Sequence, residues 1–117
     1  MADLQVKAVS KYIKGAPVKM RRVVNSVRGM RAQRALSVLA LLPQSAARPV
    51  WKTVKSAVAN AEENYALDAE DMVIAQIMVD EGPRMRRYRA GARGRYKPVL
   101  KRFSHITVIL EADSPAE

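Results

Sequence analysis

The 117 residues contain no cysteine and a single histidine, His105. Without thiols there is no disulfide framework, thiolate zinc site or cysteine nucleophile, and one imidazole leaves little from which to build a metal centre or a general base. No metal and no cofactor are expected. Aromatic residues are scarce as well: one Trp, one Phe and four Tyr. No run approaches the roughly eighteen apolar residues that a membrane-spanning helix needs. The start, Met1-Ala2-Asp3-Leu4-Gln5, lacks the charged and then apolar pattern of an export signal. The chain reads as soluble and unexported, with neither a membrane nor a small-molecule substrate among its expected partners. Repeats, linker tracts and low-complexity segments are also missing, so residues 1–117 are expected to form one domain.

Acid is missing from long stretches. Residues 4–61 carry twelve Lys or Arg and no Asp or Glu, residues 62–81 carry seven acids and no base, and residues 84–102 carry nine bases and no acid. A solvated surface mixes the signs, because opposite neighbours relieve the repulsion of like ones. A chain with a net charge of +10 sorted into such blocks calls for an external polyanion, and 49% hydrophobic residues are enough for it to fold rather than coat that polyanion as a tail.

The apolar pattern gives the elements. Leu4 to Tyr12 alternates roughly, which predicts a half-buried strand ending at Gly15. Pro17 suits the first position of a helix whose stripe is Met20, Val23, Val24 and Val27 and whose stop is Gly29; Lys19, Arg21, Arg22 and Arg28 take the other face. A second helix is expected from about Arg31 to Leu41, on Ala32, Ala35, Leu36 and Leu39, with Pro43 beyond it. A third, from about Ser45 to Asn64, carries Val50, Val54, Ala57, Val58 and Ala61, and Pro49 is tolerable there only within the first turn. Met72 to Asp80 predicts a strand with Val73, Ala75, Ile77 and Val79 on one face, and Phe103 to Leu110 another with Ile106, Val108 and Leu110 on one face. Met20, Met72 and Met78 read as core filler. The expected class is α+β, three helices on a small antiparallel sheet.

Between the last two strands lies the arginine block, too polar for a core. Gly91 and Gly94 near its middle let the strands continue outward as one long hairpin over about 80–106. With roughly ten residues per arm at about 3.3 Å each, it reaches some 30 Å beyond the globule. An open-edged ribbon is marginal in water, so something anionic must surround it.

Candidate catalytic groups are poor. Glu62-Glu63 and Asp80-Glu81 are neighbours in sequence whose side chains diverge, and they balance charge. Gly91 and Gly94 lack the strand-to-helix context of a phosphate loop. His105 has no partner for catalysis and reads as structural or RNA-contacting. Trp51 reads as packing, whereas Tyr88 and Tyr96, inside the arginine block, are placed to stack on unpaired bases. A generic architectural nucleic-acid-binding protein would use the same charge, but no recognition helix or dimer seam is visible.

Four runs carry a resemblance: Val27-Arg28-Gly29-Met30, Ser56 to Glu62, Val79-Asp80-Glu81-Gly82-Pro83, and Lys101 to Val108. In this order they resemble the helix end, central helix, hairpin opening and return strand of the bacterial large-subunit ribosomal protein family numbered twenty-two. The resemblance implies a structural constituent of the large ribosomal subunit that binds its RNA, supports assembly and lines the nascent-peptide exit tunnel with its hairpin. Implied partners are large-subunit ribosomal RNA, neighbouring large-subunit proteins and the nascent polypeptide, and the implied location is the cytoplasm, bound to ribosomes. Carried over by position, the tunnel-lining tip is Gly91, Ala92, Arg93, Gly94, Arg95 and Tyr96. Charge and resemblance together give an expected RNA-contacting set: Lys14, Lys19, Arg21, Arg22, Arg28, Arg84, Arg86, Arg87, Arg89, Arg93, Arg95, Lys97, Lys101, Arg102 and His105. The chain departs from the family pattern at Ala90-Gly91-Ala92, where Pro-Arg-Ala is usual, at Tyr96, usually Ala, and at Pro49, usually an apolar helical residue.

Overall fold

A computed structural model describes residues 5–65 and 69–112. Leu4, Asp68 and the acidic tail from Asp113 lie outside the described residues, as do the side chains of Tyr65, Arg89, Tyr96 and Pro98. In chain order the elements are β1 (Gln5–Lys14), α1 (Pro17–Val27), α2 (Ala32–Leu41), α3 (Ala47–Tyr65), β2 (Met72–Ala90) and β3 (Tyr96–Ala112). The strands form one antiparallel sheet in the order β1-β3-β2. The helices cover one face of it, with α3 against β1 and β3 and α1 against β2.

Each helix starts and stops for a local reason. Pro17 takes the first position of α1, where its missing N–H costs nothing, and Gly29 at φ +80° turns the chain out after Val27. The predicted stripe of Met20, Val23, Val24 and Val27 is buried, and so are Ala32, Ala35 and Leu39 of α2. Helix α3 begins at Ala47, which leaves Pro49 inside its first turn. The Thr53 hydroxyl lies 2.9 Å from both the Pro49 carbonyl one turn earlier and the Ser10 hydroxyl of β1, so this buried polar side chain is satisfied while it ties helix to strand.

The sheet departs from simple alternation at three bulges. Ile74 pairs with Leu110 and Gln76 with Ile109, so Ala75 is an extra residue. It inverts the parity of β2, and Met72, Ile74, Ile77 and Val79 all turn inward. The predicted face of Val73, Ala75, Ile77 and Val79 is therefore corrected: Val73 and Ala75 belong to the opposite, half-exposed face. Met78 is not core filler either, being 38% exposed on that same face. A second bulge sets Lys11 and Tyr12 of β1 against His105 alone, between the pairs Ser10–Ile106 and Ile13–Ser104.

The third bulge is where the hairpin leaves the globule. Glu81 pairs with Ser104 and Arg84 with Arg102, so Gly82 and Pro83 together face Phe103. Proline cannot donate to a ladder, and a bulge is where a strand can hold one. A Cβ on Gly82 would meet the Phe103 carbonyl oxygen at 3.0 Å and its Cβ at 3.2 Å. Gly82→Val is thus expected to cost about 1–3 kcal/mol, because two backbones cannot separate here without breaking the flanking pairs. A thermal melt checks this, and an unshifted midpoint would contradict the close approach.

Candidate nucleic-acid interface

Beyond the bulge, β2 and β3 pair without interruption from Arg84–Arg102 to Ala90–Tyr96, a two-stranded ribbon. Its seven pairs extend roughly 20 Å at about 3.3 Å each, and the molecule measures 70 × 25 × 21 Å. The tip is Gly91 to Arg95, turned by Arg93 at φ +58° and Gly94 at φ +73°. This is the protruding hairpin that composition called for.

Its charges are not satisfied within the ribbon. Arg84 and Arg102 stand directly opposite each other, an arrangement in which like charges repel. Arg84 finds one counter-ion, the Glu81 carboxylate at 3.1 Å, and Arg87 turns one guanidinium nitrogen to the Arg86 carbonyl at 3.1 Å. Arg86, Arg87, Arg93, Arg95, Lys97, Lys101 and Arg102 are exposed. Tyr88, 67% exposed, projects between them.

The base of the ribbon is tied to the end of β1. The Gly15 N–H donates to the Arg102 carbonyl at 3.0 Å, and the buried Ser104 hydroxyl donates to the Gly15 carbonyl at 3.0 Å. These bonds bring Lys14, Lys101 and Arg102 around one open pocket of about 470 Å³. A second cationic pocket forms where Lys19 and Arg22 of α1 meet Gln44 and Ser45 before α3. Lysines and arginines distant in sequence are thus gathered at two places.

Three expected contacts have internal duties. Arg21 reaches across to β2, and its Nε and Nη2 donate to the Val79 carbonyl at 3.2 and 3.0 Å. It clamps α1 on the sheet. Arg28 donates to the Asn25 side chain at 3.2 Å. His105 accepts the Tyr12 N–H at Nδ1, 3.0 Å away. Sequence reasoning passed over Arg48 and Lys52, which line a pocket with Ser10, Ile13, Ser45 and Pro49, and Lys55, whose ammonium sits 4.7 Å from the Trp51 ring centre. The signal was available: Arg48, Lys52 and Lys55 follow the i, i+4, i+7 spacing of one helical face. Trp51 itself is half-buried against the core, as its packing role requires.

Exposed acids flank the globular part of β2, Glu70 and Asp71 before it and Asp80 and Glu81 at the base of the ribbon. Glu70 and Asp71 are exposed in the short turn that leads into Met72, whereas the basic ribbon begins at Arg84 of the same strand. Beyond Glu81 the ribbon carries no acid, so a polyanion approaching its tip meets little repulsion. Among the described residues no cluster of three His, Cys, Asp or Glu is arranged for a metal ion, and no helix is long and apolar enough to cross a membrane.

Known proteins resemble this chain over most of its length. Large ribosomal subunit protein uL22c of Thalassiosira pseudonana is 45% identical over 109 residues, covering 93% of this chain and 95% of its own. Large ribosomal subunit protein uL22 of Synechococcus sp. (strain JA-3-3Ab) is 44% identical over 111 residues, covering 95% and 90%. That of Desulfitobacterium hafniense (strain Y51) is 43% identical over 106 residues, covering 91% and 93%. The model of the family described as Ribosomal protein L22p/L17e matches residues 8–111, a span that takes in the three helices, the sheet and the whole ribbon, and the chain belongs to that family.

Proposed function

We propose that this chain is a structural constituent of the large ribosomal subunit, which binds large-subunit ribosomal RNA, supports subunit assembly and lines the nascent-peptide exit tunnel with its hairpin tip. The observation that carries the reading is the ribbon from Arg84 to Arg102: nineteen residues with nine bases and no acid, set on a neutral core by paired backbone alone. Such a ribbon has no folding purpose of its own. Threaded between RNA helices, its cations screen phosphates that would otherwise repel, and its paired strands fix the relative orientation of those helices.

The contacts fall into three groups. Arg84, Arg86, Arg87, Arg89, Lys97, Lys101 and Arg102 along the stem, with Lys14 at its base, meet phosphates. Lys19, Arg22 and Arg28 offer a second RNA-facing surface on α1, which Arg21 holds in place through the Val79 carbonyl, and His105 a contact on the sheet. The tip, Gly91, Ala92, Arg93, Gly94, Arg95 and Tyr96, faces the tunnel and the nascent polypeptide. Neighbouring large-subunit proteins share the surface, and the chain works in the cytoplasm bound to ribosomes by binding rather than turnover.

Density-gradient fractionation of a lysate tests the reading, with tagged full-length protein and a version lacking residues 84–102. The full-length protein is expected to travel with the large subunit until ribonuclease releases it, and the shortened one to remain mostly in the light fractions. Sedimentation of the full-length protein with chromosomal DNA would replace this reading by that of a generic architectural protein.

A further inference from the structure

Among the described residues nothing covers the face of the sheet away from the helices, and one residue on it is held at a cost. Rows of side chains cross that face: Lys7, Ile109 and Gln76; then Val9, Thr107 and Met78; then Lys11 and Tyr12, His105 and Asp80. Val9 and Met78 are 43% and 38% exposed, so the face is partly apolar and open. In the last row Tyr12 adopts φ +59°, the left-handed region, inside the bulge of β1. Bulky side chains rarely accept that conformation, and glycine or asparagine would hold it more easily. A bulge by itself helps to blunt an edge strand such as β1. It does not require an aromatic at its strained position.

The local geometry fixes the ring without burying it. The Tyr12 N–H, freed from the ladder, donates to His105 Nδ1 at 3.0 Å, and the two rings meet edge to face at 5.0 Å and 88°. An imidazole that accepts at Nδ1 carries its proton on Nε2. Tyr12 nevertheless remains 64% exposed. Strain at an ordered, solvent-facing aromatic marks a ring positioned for a partner.

We propose that Tyr12 is a stacking platform for one unpaired RNA base on the open sheet face, a contact that rests on the ribosomal-RNA reading above and refines it. Sheet-borne aromatics bind single-stranded bases in this way because every base offers a π-face. The exposed Lys7, Lys11 and Lys14 along β1 supply cations for the flanking phosphates, and the Nε2–H of His105 is a donor for a ribose or phosphate oxygen. Asp80 faces His105 from β2 and repels phosphate, so the nucleotide approaches from the β1 edge.

The test is binding of the full-length protein to an in vitro transcript of large-subunit ribosomal RNA across a salt series, with Tyr12→Leu, Tyr12→Asn and Tyr12→Phe beside the unaltered chain. Tyr12→Leu and Tyr12→Asn are expected to weaken binding on the order of tenfold, and Tyr12→Phe to bind as the unaltered protein does. The slope of log K against log salt should stay the same in all of them, because no cation is removed. Tyr12→Asn keeps the backbone N–H and suits the left-handed conformation, so its melting temperature should hold or rise while its affinity falls, a combination that a purely structural role would not produce. Unchanged affinity in Tyr12→Leu and Tyr12→Asn, or equal losses in Tyr12→Phe and Tyr12→Leu, would overturn the proposal and leave the sheet face to a protein neighbour. Failure of the unaltered chain to bind the transcript would overturn the ribosomal-RNA reading as well.

Discussion

Replacing Arg86 and Arg87 together by alanine is expected to flatten the dependence of log K on log salt by about 1.5, since each neutralised phosphate contributes roughly 0.7–0.9 to that slope. Affinity for large-subunit RNA should fall roughly a hundredfold at low salt, the sum of two lost charge-assisted hydrogen bonds. The pair is informative because adjacent residues of a strand point to opposite faces. Both side chains are exposed, and neither has an acidic partner among the described ion pairs. If RNA surrounds the ribbon, Arg86→Ala and Arg87→Ala each remove about half of the slope change. If RNA lies along one face, one single variant carries the whole effect and the other is silent. An unchanged slope in the double variant would count against phosphate contacts on the stem. Arg21→Ala provides the contrast, because its guanidinium is committed to the Val79 carbonyl and its loss should loosen α1 before it changes the salt dependence.

Much of the fold was legible because local signals and global packing agree. Pro17 and Gly29 bracket α1, the apolar stripes of the three helices are buried apart from the half-buried Leu36, and the alternation of Ile106, Val108 and Leu110 is that of the central strand. The bulges were not legible. One extra residue at Ala75 or at Lys11 and Tyr12 leaves composition and hydropathy unchanged but reverses the faces on either side of it, so Val73 and Ala75 looked to share the face of Ile77 and Val79, and Tyr12 looked ordinary. The ribbon could be read from its charge, since nine bases without an acid can hardly be buried. The duties of Arg21 and of Arg48, Lys52 and Lys55 were obscured for the converse reason. A charged side chain reads as solvent-facing until the structure shows what lies within its reach.

Stability and RNA binding should reside in different parts of the molecule, and the largest expected loss of stability follows from that separation. Ile106 is fully buried in the central strand, opposite Ser10 on one side and Val79 on the other, just before the sheet narrows to the ribbon. Ile106→Ala leaves a cavity there that rigid neighbours from both strands cannot close, and about 2–5 kcal/mol should be lost. A domain of this size holds roughly 5–15 kcal/mol in all, so the melting temperature should drop on the order of 15 °C. Tyr88→Ala, at 67% exposure on the ribbon, should cost less than about 0.5 kcal/mol. Removing residues 84–102 altogether should likewise leave the melt nearly unchanged, because the ribbon buries little against the core and sets Arg84 against Arg102. A deletion that lowered the melting temperature as far as Ile106→Ala would mean that the ribbon belongs to the folding unit. A stable shortened protein that no longer binds RNA would show that the globule folds on its core alone and that the ribbon carries the RNA contacts.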